Sequence, residues 1–228
     1  MTNILLNSFR IAQPWCYDTL APYIRSSDRV LVFPLAFREH EITSIQEWND
    51  RYDITSGYMA RGFADEFSKY GIGIDQITWV NYFTDNQDSV AEKKSESSIL
   101  YFSGGLPHLM SKRLRAMDVE DVIRSFDGLI MGDSAGPLIQ LDSYHVTPDR
   151  DYPEYAYYEG LGLIHGFELE VHYCGSAEQD QSIKRCIQEK GMPVYAMPEQ
   201  SGVIVECGEI VPFGETIEIA CLEDLKWK

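Results

Sequence analysis

The sequence predicts an α/β fold in which helices cover both faces of a mostly parallel sheet. Short apolar segments with strand character alternate along the 228 residues with segments whose apolar residues follow helical spacing. One alternation is very tight, because the apolar run 129–131 is followed almost at once by Ala135, Leu138 and Ile139 at helical spacing. No internal repeat, low-complexity tract or linker interrupts the pattern, so we expect a single domain over residues 1–228.

The first half of the chain predicts three strands with helical segments between them. Aromatic residues within 43–70 keep helical spacing, and Gly71 follows them as a helix-terminating residue. The polar segment 85–98 is expected to combine loop and helix. The predicted strands are 29–33, 77–83 and 98–102.

The second half continues the alternation up to a long segment rich in tyrosine and proline. Residues 109–126 are expected to be helical, whereas 142–160 lacks periodicity and is predicted to be a long loop. An alternating strand over 166–172 carries His172 at its carboxyl end, and a helix over 178–190 stops at Gly191. Further short strands are predicted at 194–197, 201–206, 209–211 and 216–220.

Composition and charge exclude several classes of partner. The 36 acidic and 19 basic residues give a formal net charge of −17, which disfavours a nucleic-acid-binding surface. No apolar run approaches the roughly 20 residues of a membrane span, and no signal peptide is visible at the N-terminus. The five cysteines are widely spaced without a Cys-x-x-Cys pair, which favours reduced thiols over disulfides or a zinc site. We therefore expect a cytoplasmic protein that contacts neither nucleic acid nor membrane.

The segment Gly132-Asp-Ser-Ala-Gly136 places Ser134 on a tight turn between the strand 129–131 and a helix. Glycines at both flanks leave room for a sharp turn that exposes the serine hydroxyl at the end of the sheet. The N–H of Ala135, at the helix N-terminus, would then face developing negative charge. A serine that merely caps the helix fits the same short pattern equally well.

Three further features are predicted to lie with Ser134, beyond the carboxyl ends of strands, where open parallel sheets form their sites. They are Gly104-Gly105, His172 and Glu199. Among the five histidines, His172 is the best placed to remove the serine proton, although a structural histidine is common at such a position. The N–H of Gly105 could complete an oxyanion hole with that of Ala135. No dinucleotide fingerprint or P-loop is present in the sequence, so no cofactor or metal is expected.

With these pieces in place, the chain resembles the dipeptidase E and cyanophycinase family of serine peptidases. Gly132-Asp-Ser-Ala-Gly136 is similar to the family's serine elbow, Ser103-Gly104-Gly105 to its glycine segment, and 162–172 to the strand that delivers its histidine. The resemblance implies a three-layer α/β sandwich like that of class I glutamine amidotransferases, and a homodimer. It also implies Ser134 as nucleophile, His172 as base, and Gly105 and Ala135 as oxyanion donors.

The resemblance leaves two candidates for the third member of the triad. Dipeptidase E-like proteins place an aspartate after the elbow helix, which matches Asp149, and cyanophycinase-like proteins use a later glutamate, which matches Glu199. We favour Glu199, because a strand junction holds geometry better than a loop.

The sequence also departs from the family at two places. Leu106 replaces the asparagine after Gly-Gly, and Gln179 and Ser182 stand where dipeptidase E-like proteins carry arginines. Because an acidic substrate group needs a cation or several donors, these departures indicate an altered specificity, with cleavage of Asp-Xaa dipeptides left open.

Together these features predict a serine peptidase acting on a small peptide substrate through a Ser-His-Glu/Asp triad. A non-catalytic or ligand-sensing relative that keeps the fold is the alternative. An esterase of the α/β-hydrolase type fits less well, because no later Asp-then-His order with that spacing is evident. Glutamine amidotransferase chemistry is disfavoured, since it uses a cysteine where this chain has Ser134.

Overall fold

The computed structural model describes residues 1–225 and has the predicted α/β architecture. Its centre is a seven-stranded sheet in the order β11-β10-β1-β5-β4-β2-β3. The strands of this sheet are β1 Thr2–Leu6, β2 Val30–Phe33, β3 Ile77–Trp79, β4 Ile99–Phe102, β5 Leu129–Asp133, β10 Ser201–Glu206 and β11 Glu209–Gly214. The pairs β1–β5, β5–β4, β4–β2 and β2–β3 are parallel, whereas β10 and β11 form an antiparallel edge.

Helices cover both faces of the sheet, so the fold has three layers. Alternate residues of β2 point to opposite faces: Val30 and Val32 join one apolar cluster, and Leu31 and Phe33 join the other. Helices α1–α3 pack on the first face and α4–α7 on the second. Their bounds are α1 Pro14–Leu20, α2 Ile45–Tyr52, α3 Tyr58–Ser68, α4 Gln87–Ser95, α5 Pro107–Ala116, α6 Glu120–Arg124 and α7 Ala135–Gln140.

A second sheet of three strands lies beside the central one, in the order β12-β9-β8. Here β8 (Glu168–Val171) and β9 (Val194–Met197) are parallel, and β12 (Ile217–Ile219) is antiparallel to β9. Helix α8 (Ala177–Lys190) packs on this sheet and ends at Gly191, which has φ 66° and serves as a left-handed C-cap.

Helix α1 was not predicted, and the strand predicted over 77–83 ends at Trp79. Two further differences lie closer to the site. The first is β1, an unpredicted central strand whose partners are β5 and β10. The second lies in 142–160, which is not a plain loop: it contains an antiparallel pair, β6 (Ser143–Val146) and β7 (Ala156–Glu159). Hydrogen bonds between these two strands satisfy backbone groups that a buried loop would leave unpaired.

All five cysteines are free thiols. Within residues 1–225, no helix combines the length and the apolar character needed to cross a bilayer. The cytoplasmic location, the homodimer and the single domain over 1–228 stay predictions.

Candidate active site

Ser134 occupies a strained turn between the central strand β5 and helix α7. Its backbone has φ 53° and ψ −98°, a conformation that costs a non-glycine residue about 1–3 kcal/mol. Its N–H donates to the carbonyl of Leu6, 2.9 Å away, which ties the turn to β1. The flanking glycines are required by close packing, because a Cβ on Gly136 would lie 2.1 Å from the carbonyl oxygen of Phe102. The chain thus presents the Ser134 hydroxyl from a backbone conformation that is sterically costly.

The ring of His172 meets that hydroxyl. Ser134 Oγ and His172 Nε2 are 2.7 Å apart, within the range of a good hydrogen bond. His172 follows β8 and also has a left-handed backbone, with φ 54°. The serine therefore comes from the central sheet and the histidine from the second sheet, and the two meet across the space between the sheets.

The predicted oxyanion donors border the same space. Gly105 has φ 135°, and a Cβ there would lie 2.4 Å from the Ala36 carbonyl oxygen, so this position needs glycine. Ala135 is the first residue of α7, where an N–H has no partner within the helix. Both residues line one cavity with Ser134 and His172.

Asp133 supports the turn from behind. Burial raises the pKa of its carboxyl group to about 6, against the opposing effect of hydrogen bonds from the Tyr101 hydroxyl and the Gly104 N–H. The Tyr101 hydroxyl donates to Asp133 Oδ1 over 2.8 Å. Since a Cβ on Gly104 would lie 2.5 Å from Asp133 Oδ2, the glycine loop packs directly on this carboxyl group.

The structure places the two candidate triad acids differently. Asp149 lines the cavity, and its Oδ1 accepts from the N–H groups of Asp151 (2.7 Å) and Tyr152 (2.8 Å). Glu199 has an exposed side chain just beyond β9, and its carbonyl accepts from the Ser8 hydroxyl over 3.3 Å. Across residues 1–225, neither carboxylate is hydrogen-bonded to the His172 ring.

Comparison with known proteins supplies the family. The model of "Peptidase family S51" matches residues 52–211, which includes the serine turn and His172. This chain belongs to peptidase family S51. Comparison with curated protein sequences finds no significant match.

Two solved structures resemble this S51 chain in fold. One is a protein assigned as a peptidase E from Listeria monocytogenes EGD-e, with TM-score 0.64 and 14% identity, covering 92% of this chain and 96% of that chain. The other is a peptidase from an acI-B1 actinobacterium, also with TM-score 0.64 and 14% identity, covering 96% of this chain and 93% of that chain. Family membership makes this chain a peptidase, and the two structures support the α/β fold.

The cavity that Ser134 and His172 line has a volume of about 580 Å³, and its lining contains both acidic and basic side chains. Its Arg38 is already engaged, because its guanidinium donates to Asp151 through two nitrogens (3.1 and 2.7 Å) and to Glu41 through the third (3.2 Å). Arg150 is largely exposed and lies 3.4 Å from Asp151. The charged residues of the lining, histidines apart, are Arg38, Asp149, Arg150, Asp151, Glu170 and Glu178.

His145, Glu168 and Glu170 form a buried charged cluster that was not predicted. His145 is fully buried on β6, with Nδ1 3.0 Å from Glu168 and Nε2 2.9 Å from Glu170. Burial by itself would lower the pKa of His145, but hydrogen bonds with Cys186, Glu168 and Glu170 outweigh it and raise the pKa well above its usual value. Because His145 lies in the segment predicted to be a long loop, nothing in the sequence pattern indicated its two carboxylate partners.

The same cluster contains ligand types that metals use. Ligand atoms of His145, Glu168 and Cys186 lie within 4.8 Å of one another. The carboxylate of Glu168 is, however, already paired with the imidazolium of His145 and the ammonium of Lys190. These two cations neutralise the charge of the Glu168 carboxylate, as a metal ion bound there would otherwise do.

The cluster leads to a prediction about stability and pH. His145→Gln is expected to lower the free energy of unfolding by about 3–5 kcal/mol near pH 6, because it leaves buried Glu170 without its cation and Glu168 with Lys190 alone. A raised folded-state pKa stabilises the protein fully below the unfolded value of about 6.5, and this contribution is lost as pH rises through the folded value. The deficit of the variant should therefore shrink at alkaline pH.

Urea unfolding of both proteins between pH 6 and pH 9 measures this effect. His40→Gln is the matched control, since His40 is exposed and its replacement should change stability by less than about 0.5 kcal/mol. A deficit that is absent, or that stays constant with pH, would show that His145 is not held as an imidazolium.

Proposed function

We propose that this S51 peptidase is a serine peptidase that hydrolyses short peptides, with dipeptides as the main substrates. The observation that carries the proposal is the 2.7 Å contact between Ser134 Oγ and His172 Nε2 at a strained turn. A serine is a weak nucleophile until a base removes its proton, and this contact places a base at the required distance. Strained backbone is costly to keep, which favours a functional role over a simple helix cap.

The reaction follows from the placement of the groups. Ser134 Oγ attacks the peptide carbonyl carbon while His172 Nε2 takes the hydroxyl proton. The N–H groups of Gly105 and Ala135 stabilise the oxyanion, and His172 then protonates the leaving amine as the C–N bond breaks. Water, deprotonated by His172, then attacks the ester carbonyl, the bond from that carbon to Ser134 Oγ breaks, and His172 returns the proton to Ser134 Oγ as the acid product leaves.

The charges of the cavity support a preference for neutral over acidic side chains. Gln179 and Ser182 are buried on α8, and Gln179 bonds to the protein interior. The guanidinium of Arg38 is engaged by Asp151 and Glu41. Arg150, the other arginine of this lining, is largely exposed and lies beside Asp151. An acidic side chain of a substrate would therefore gain less here than from a cavity with several arginines aimed at it.

Two measurements test the proposal. A fluorophosphonate probe should label Ser134, found by mass spectrometry of the peptide that contains it, because only an activated serine reacts. In a panel of dipeptides, those with a neutral N-terminal residue should be hydrolysed with a higher kcat/KM than those with an N-terminal aspartate (Asp-Xaa).

The outcomes separate the alternatives. Better cleavage of Asp-Xaa would support a serine peptidase and contradict the inferred preference. If the protein showed no labelling and no cleavage, the non-catalytic relative would be favoured. Two observations suggest that alternative: Leu106 lies beside the oxyanion loop, and among residues 1–225 no carboxylate is bonded to the His172 ring.

A further inference from the structure

Gln179 makes contacts around the turn that carries His172. It lies in the first turn of α8, with 8% of its surface exposed. Its Nε2 donates to the carbonyl of His172 (3.0 Å) and to Glu170 Oε1 (3.2 Å). Its Oε1 accepts from the N–H of Cys174 over 2.9 Å. One buried amide thus spans the main chain from the end of β8 to the residues beyond His172.

The chemistry of its partners fixes the orientation of this amide. The carbonyl of His172 and the carboxylate oxygen of Glu170 accept hydrogen bonds here, whereas the N–H of Cys174 can only donate. A flipped amide would lose all three bonds, so the nitrogen must face Glu170 and His172.

The contacts act on a residue in an unfavourable conformation. His172 has φ 54°, a left-handed value that a non-glycine residue keeps only when its surroundings hold it. Asn7 Oδ1 accepts from the N–H of His172 over 2.7 Å, and Gln179 binds its carbonyl. The main chain of His172 is therefore held from both sides.

The buried cluster holds Gln179 in turn. Glu170 Oε2 lies 2.9 Å from His145 Nε2 and accepts from the Thr147 hydroxyl over 2.7 Å. Glu170 Oε1 is left to accept from Gln179. Contacts therefore run without a break from His145 through Glu170 and Gln179 to the carbonyl of His172.

We propose that Gln179 is a positioning residue, which holds the backbone of His172 in the conformation that aims Nε2 at Ser134. The inference rests on the proposed function, since it concerns how the base of that reaction is placed. It assigns a use to the residue that stands where dipeptidase E-like proteins carry an arginine. In this chain the side chain faces the protein and binds the support of the base.

Gln179→Ala is the first test. We expect kcat and the rate of fluorophosphonate labelling to fall about 100-fold, because a displacement of about 1 Å of a reacting group costs this much. KM for a neutral dipeptide should change little, because the amide nitrogen and oxygen of Gln179 are both bonded within the protein. Gln188→Ala is the matched control, because Gln188 is exposed on the same helix.

Gln179→Glu adds a readout that a general loss of packing would not produce. When protonated, the introduced carboxyl group still has one proton to donate, but when ionised it has none and lies against Glu170. Activity of this variant should therefore decline as pH rises. The pH–activity profiles of wild type, Gln179→Ala and Gln188→Glu should show no such decline. The titratable groups around the site are Glu170 from β8, His172 and Cys174 from the turn, and His145 behind Glu170.

The outcomes distinguish this inference from the proposed function. Full labelling and kcat in Gln179→Ala, with thermal unfolding like that of Gln188→Ala, would overturn the positioning role and leave the peptidase intact. An unlabelled, inactive wild type would overturn the peptidase instead. Nitrogen NMR of the His172 ring then tests positioning without activity: a changed Nε2 resonance in Gln179→Ala supports it, and an unchanged one contradicts it.

Discussion

Ser134→Ala is expected to lower kcat for dipeptide hydrolysis by about 10⁶-fold, the loss seen when the nucleophile of a serine triad is removed. The hydroxyl is the only group removed, and the 2.7 Å contact between its oxygen and His172 Nε2 is lost with it. The turn should survive, because the hydrogen bond from the Ser134 N–H to Leu6 belongs to the main chain. Unfolding in urea should therefore match wild type, and kcat from a continuous dipeptide assay gives the size of the loss.

Two further variants sharpen this test. Ser134→Ala combined with His172→Ala should be hardly slower than either single variant, because nucleophile and base act as a unit. His165→Ala is the matched control, since it removes an exposed histidine a few residues earlier and should leave kcat unchanged. If Ser134→Ala kept wild-type hydrolysis, another residue would have to be the nucleophile.

Local pattern predicted the elements that carry their own signal. Strand β5, the tight turn at Ser134 and helix α7 follow one another as the sequence predicted, because glycine spacing and apolar periodicity are local features. Strand β1 was missed, since the run Ile4-Leu5-Leu6 is only three residues long and shows no alternation. Its identity as a strand depends on tertiary pairing with β5 and β10.

The site shows the same division between local and tertiary information. Ser134 and His172 were predicted from their places at strand ends, and the structure brings them into contact. Asn7 and Gln179, which hold the main chain of His172, come from the ends of β1 and α8 and carry no motif. Their role depends on which buried groups face them after folding, so a single sequence could not indicate it.

Glu199→Gln is expected to lower kcat by about 10⁴-fold, as replacing a triad carboxylate by an amide does when it changes the tautomer of the histidine. Strands β8 and β9 are parallel and pair Val171 with Met197. His172 and Glu199 therefore follow the ends of adjacent strands. The Glu199 side chain is exposed, so no core packing opposes its rotation. Its own main chain is held by the hydrogen bond from Ser8.

Asp149→Asn is the matched comparison and should cost much less. An asparagine Oδ1 can still accept from the N–H groups of Asp151 and Tyr152, so the loop would keep its shape while the charge is removed. Measuring kcat of both variants on one dipeptide decides between the acids. A larger loss in Asp149→Asn would make the loop aspartate the third member of the triad. Small losses in both would mean that the main-chain contacts from Asn7 and Gln179 orient His172 without a carboxylate.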